Sequence, residues 1–73
     1  MARELAALRA KIGSRIKGRR TTLRMSQEDL AFRAQISPTY LSQVEAGKRN
    51  VSLDILFGIA QALQIELVEL VKS

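Results

Sequence analysis

Three serines set helix starts in this chain, and the gap between two of those helices leaves few folds open. Ser26 is followed three positions on by Asp29, the spacing at which a hydroxyl and a carboxylate exchange hydrogen bonds with each other's backbone amides. That spacing predicts a helix from Gln27 to about Ala34. Ser37 stands before Pro38, a capping hydroxyl ahead of a residue whose φ is already helical. A second helix is expected over about 38–46, stopped by Gly47. Ser52, with Leu53 and Asp54 behind it, predicts another from Leu53 to about Leu63. Between the first two lies only Gln35-Ile36-Ser37, a joint of the length that lets two helices cross at about 90–120°. Leu30, Ala34, Ile36, Leu41 and Val44 then face into the angle. Ala31 sits where the helices approach most closely, and a larger side chain there would force them apart.

The remainder reads as helix too. Leu5, Leu8, Ile12, Ile16 and Leu23 recur at helical spacing and predict a first helix over about 3–23, with most of its arginines on the opposite face. Gly13 and Gly18 each weaken it by about 1 kcal/mol relative to alanine, and are read as points of close packing rather than breaks. A short fifth helix is expected over about Glu66–Lys72. Strand-like alternation is absent. The fold class expected is all-α, a compact five-helix domain around a central pair of crossed helices. At 73 residues this is one domain with a thin core.

Composition removes most chemistries. The chain has no cysteine and no histidine, which excludes disulfides, thiolate nucleophiles and the commonest general base and zinc ligand. The seven carboxylates are scattered, so no catalytic residue, metal site or cofactor is expected and the chain is not read as an enzyme. No apolar run reaches the length of a membrane span. The net charge is +5, unevenly spread. Residues 1–24 hold Arg3, Arg9, Lys11, Arg15, Lys17, Arg19, Arg20 and Arg24 against Glu4 alone, whereas residues 51–73 are mildly acidic. A one-sided basic surface points to a polyanion, nucleic acid first, with a merely basic surface as the bland alternative. A transit peptide or membrane-surface helix at the N-terminus is disfavoured, because the core needs that helix's apolar face. Gly47-Lys48 is not a nucleotide loop, since Ser42 stands where that motif needs glycine. Asn50-Val51-Ser52 spells a glycosylation acceptor. With no signal peptide it is read as a loop residue and a cap, and a cytoplasmic location is expected.

The outer face of the helix after the joint carries Thr39, Ser42, Gln43 and Ala46, side chains that are small or amide. A DNA major groove about 12 Å wide admits one helix, and amides and hydroxyls read its base edges. Here the chain resembles the Cro/repressor-type helix-turn-helix domain, in Ser26-Gln27-Glu28-Asp29-Leu30-Ala31 and in Ile36-Ser37-Pro38-Thr39-Tyr40-Leu41-Ser42-Gln43-Val44-Glu45-Ala46-Gly47-Lys48-Arg49-Asn50. The similarity runs from about Ile12 to Leu70. Short domains of this kind resemble the controller proteins of restriction–modification systems, with phage-type repressors and antitoxin-type interaction modules as near competitors.

The resemblance implies a lambda-repressor-like fold and a transcriptional regulator that binds double-stranded DNA at a near-palindromic operator, with RNA polymerase a candidate further partner. Thr39, Ser42 and Gln43 would read bases. Gln27, Ser37, Tyr40, Lys48, Arg49 and Asn50 would meet the DNA backbone; the plainer readings are a solvated helix face for Thr39, Ser42 and Gln43, an ordinary first-turn polar residue for Gln27, and a tyrosine tucked beside the core for Tyr40. Arg20 and Glu45 occupy positions that pair across helices in the family. The family's pattern has glycine at helix ends where φ is positive; this chain has Arg24, Gln35 and Gln64 there.

Helices four and five carry more apolar surface than one small core needs. Ile55, Phe57, Ile59, Ile65, Leu67 and Val68 are therefore assigned to a twofold homodimer interface, the alternative being a thin core that uses them all. Residues 1–73 are read as a single DNA-binding domain with dimerising C-terminal helices.

Overall fold

The capping chemistry is realised in the structure. A computed structural model describes residues 2–72, so positions 1 and 73 of the expected domain lie outside it. Five α-helices follow one another: α1 Ala2–Thr22, α2 Gln27–Ala34, α3 Pro38–Glu45, α4 Leu53–Ala62 and α5 Leu67–Val71. The backbone amide of Asp29 donates to Ser26 Oγ, and the Ser26 amide donates to Asp29 Oδ2, both at 2.9 Å. Ser37 Oγ accepts from the Tyr40 amide at 3.0 Å, and Ser52 Oγ from the Ile55 amide at 3.2 Å. Glu66 caps α5 without a side-chain hydrogen bond, and Lys72 is extended, so that helix is shorter than its sequence suggests.

Four helix ends share one geometry. At Arg24, Gln35, Gly47 and Gln64 the backbone is left-handed, with φ of 59°, 60°, 74° and 59°. In each case the amide of the following residue reaches back five positions to a carbonyl: Met25 to Arg20, Ile36 to Ala31, Lys48 to Gln43 and Ile65 to Ala60, at 2.9–3.1 Å. This satisfies carbonyls that the helix itself leaves unpaired. A non-glycine residue in this conformation is strained by about 1–2 kcal/mol. At three ends the next residue is Met25, Ile36 or Ile65, each packed in or against the core. Burial of that residue offsets the strain. The fourth is followed by exposed Lys48, and glycine stands there. Gly47 is also tightly packed, since a Cβ would lie 3.0 Å from Ala10 Cα.

The core gathers Ile16, Met25, Leu30, Ala31, Leu41, Val44, Leu56, Ile59, Ala60, Leu63 and Leu70. Helix α1 packs on α3 and α5, while α2 packs on α3 and α4. Three sequence expectations need correction. The apolar stripe of α1 is buried in its second half only; Leu5 and Leu8 are exposed because the first turns extend past the core. Gly13 is a point of close approach, where a Cβ would lie 2.4 Å from the Glu45 carbonyl oxygen, but Gly18 has nothing within 4 Å. Most of the arginines of α1 do not lie on its solvent face, because Arg15, Arg19 and Arg20 of the five it carries bond inward. Arg20 is buried. Arg19 Nε donates to the Leu63 carbonyl at 3.0 Å, and Arg15 Nη1 donates to the carbonyls of Leu70, at 3.3 Å, and Lys72. With α3 on one flank and α5 on another, α1 has two buried sides, and its cations cap the ends of α4 and α5.

Candidate nucleic-acid interface

The helix-turn-helix angle is held by one polar network. Arg20 Nε donates to Glu45 Oε2 at 2.7 Å and Nη2 to Glu45 Oε1 at 3.0 Å, while Nη1 donates to the Met25 carbonyl at 2.9 Å. The hydrogen bond to Glu45 holds the Arg20 guanidinium above its ordinary pKa. Both side chains are nearly enclosed, and among the described residues no buried side-chain nitrogen or oxygen lacks a partner. Removing one member of such a pair costs about 3–5 kcal/mol, because the other charge is left unmatched. Gln27 Nε2 donates to Glu45 Oε1 at 3.0 Å. The first residue of α2 is thereby tied to the last residue of α3. This link was not legible in the sequence, because Gln27 and Glu45 are brought together only by the crossing angle.

From this scaffold α3 presents Thr39 and Ser42 exposed and Gln43 half-buried on the side away from the core. Ser37 is exposed and spends its hydroxyl on the helix cap. Beyond the helix, Lys48, Arg49 and Asn50 are all exposed. The Arg49 guanidinium lies over the Tyr40 ring, 4.7 Å from its centroid, and Tyr40 Oη donates to the Asn50 carbonyl at 3.4 Å. Tyr40 therefore supports the loop from below. Stacking of this kind pre-orders a cation at low entropic cost. The face formed by α3 and its following loop carries two cations, two amides and two hydroxyls, and Glu45, the acid at the end of α3, is neutralised by Arg20.

A family model described as helix-turn-helix matches residues 16–70. The chain belongs to the helix-turn-helix family. Over 64 residues it is 39% identical to the control protein C.MunI of a Mycoplasma species, covering 86% of each chain. Over 42 residues it is 50% identical to the control protein C.BamHI of Bacillus amyloliquefaciens, covering 58% of this chain and 52% of the relative. A crystal structure of the restriction–modification controller protein C.AhdI from Aeromonas hydrophila superposes with a TM-score of 0.85 at 44% identity, over 88% of this chain and 97% of that one. The match to an uncharacterised helix-turn-helix transcriptional regulator of Mycobacterium tuberculosis is 48% identical, but spans 38% of that relative's length.

The C-terminal apolar residues do not form one class. Ile59 is 0% exposed and belongs to the chain's own core, so it cannot face a partner. Ile55, Ile65 and Leu67 are half-buried against that core. Phe57 and Val68, at 51% and 55% exposed, keep most of their surface outside it. Among the described residues no group of acids could hold a metal ion, and no helix is long and apolar enough to cross a membrane.

Proposed function

We propose that this chain binds double-stranded DNA as a homodimer and regulates transcription from a near-palindromic operator, as a restriction–modification controller protein acting in the cytoplasm. The observation that carries the reading is the α3 face, where Thr39, Ser42 and Gln43 stand beside an Arg49 pre-ordered on Tyr40. Thr39 and Gln43 are one helical turn apart and enter a major groove together. Gln43 suits adenine, and the Thr39 methyl suits a thymine methyl. Lys48, Arg49 and Asn50 take the flanking phosphates. Gln27, held by Glu45 through one amide hydrogen, has its second for a phosphate. The whole of 1–73 acts as one unit, and a dimer places its two recognition helices about 34 Å apart, one turn of duplex.

Titrations on operator and scrambled duplexes at several salt concentrations test the assignment. Gln43→Ala should cost about 1–3 kcal/mol on the operator and little on scrambled DNA. Arg49→Ala should weaken both, and flatten the log–log salt dependence by roughly 0.9 for each phosphate no longer neutralised. Equal losses on both duplexes for Gln43→Ala would reverse the roles. No effect from either variant would transfer the surface to a protein partner, as in an antitoxin-type module.

A further inference from the structure

Helix α1 meets the loop after the recognition helix at Ala10, whose backbone lies against Gly47. Beside this contact a groove of about 350 Å³ runs between the first turns of α1 and residues 49–51, with Leu5, Leu8 and Val51 among its apolar walls. Its charged side chains are Arg9 and Arg49, joined by Asn50, and no acid lines it. Arg9 differs from the three arginines that α1 turns inward. It is half-buried, yet it makes no hydrogen bond or ion pair among the described residues. A guanidinium partly withdrawn from water, beside a second guanidinium and without an acid, favours an external anion.

We infer that Arg9 and Arg49 form a two-arginine clamp on a DNA backbone phosphate beyond those held by the loop, so that the footprint extends from α3 onto α1. The inference rests on the DNA-binding reading. Two features favour a duplex over a small carboxylate. Lys48 and Asn50 adjoin Arg49 in the chain and continue the same phosphate-facing surface. Arg49 is also held over the ring of Tyr40, which does not line the apolar groove. The backbone that carries Arg9 packs against the loop that carries Arg49 at the Ala10–Gly47 contact, so both cations are presented on one side of the domain.

The test is binding of wild type, Arg9→Ala, Arg9→Lys and Lys11→Ala to operator and scrambled duplexes across a salt series, with phosphate-ethylation interference on the operator. Arg9→Ala should flatten the salt dependence by about 0.9 for each phosphate it no longer neutralises, so about 1.8 for a dimer, on both duplexes. Interference should vanish at one outer phosphate per half-site. Arg9→Lys should retain the wild-type slope, which separates loss of charge from loss of fold, and exposed Lys11→Ala should leave it unchanged. The inference is overturned if Arg9→Ala keeps the wild-type slope and footprint while Gln43→Ala still loses operator preference; the DNA-binding reading then survives alone. It is overturned equally if Lys11→Ala flattens the slope as much, or if decanoate shifts the Leu5 and Leu8 resonances while Arg9→Ala leaves DNA binding intact. A wild type that binds neither duplex removes both readings.

Discussion

At Gln35 the backbone sits at φ 60° with its amide donating to the Phe32 carbonyl at 3.2 Å, and the side chain makes no hydrogen bond. Gln35→Gly keeps every backbone bond and removes the left-handed strain, against the added freedom of glycine in the unfolded chain. Stability should rise by a fraction of a kcal/mol to about 1 kcal/mol, read from urea melts. A clear loss would mean that the side chain contributes something the geometry does not show. Asp29 gives a pH-dependent counterpart. Hydrogen bonds from the Ser26 amide first, and then its hydroxyl, hold this carboxyl below its ordinary pKa. A group with a depressed folded-state pKa stabilises the fold above its unfolded value, and that contribution fades as pH falls through the folded one. Asp29→Asn should therefore flatten the acid limb of the stability curve, below the ordinary carboxylate range. Melts in a pH series of wild type and variant give the comparison. Parallel curves would remove the cap from the account.

Among the elements, α1 is where sequence propensity and packing part company. Gly13 and Gly18 look alike in the sequence, each a weak point inside a helix. In the structure a Cβ on Gly13 would press into the Val44 and Glu45 carbonyl oxygens at 2.5 and 2.4 Å, whereas one on Gly18 would meet open space. Gly13→Ala should push α1 off α3 and cost about 1–3 kcal/mol. Gly18→Ala should instead stabilise by up to about 1 kcal/mol through helix propensity alone. Thermal melts of the two variants should move in opposite directions. A shared direction would place α1 differently on α3. Because α1 also carries Arg20, whose partner is Glu45, the Gly13 variant should weaken DNA binding as well as stability.

At the scale of the whole molecule, the proposed homodimer needs an apolar surface that the chain's own core does not use. Leu67 is packed on its own core, so an acidic residue there would confuse folding with assembly. Phe57 and Val68 separate the two effects, since both are more exposed than buried. Val68→Asp, and Phe57→Asp independently, should yield folded monomers with weakened operator binding in sedimentation and titration experiments. An unaltered dimer in both variants would move the interface elsewhere on the surface; Phe32, at 85% exposed, is the next place to look. The basic α1 and the acidic C-terminal helices are also joined within one body by Arg15 and Arg19. The charge asymmetry therefore belongs to two faces of a single unit.

The chain alone determined the helix starts and the crossed pair α2–α3, because caps, a proline at a first helical position and a three-residue joint act over a few residues. It also determined which side chains α3 presents, since helical spacing decides that once the core face is known. Tertiary structure decided what depends on distant segments meeting. Arg15 and Arg19 turn to the carbonyl ends of α5 and α4, although a helical wheel shows only a basic face. Gln27 is bound to Glu45, Ile59 belongs inside while Phe57 two positions before it does not, and Arg9 shares a groove with Arg49. Local sequence signals act over one or two turns of chain. A hydrogen bond, or an exposed side chain, is settled by what lies across the core.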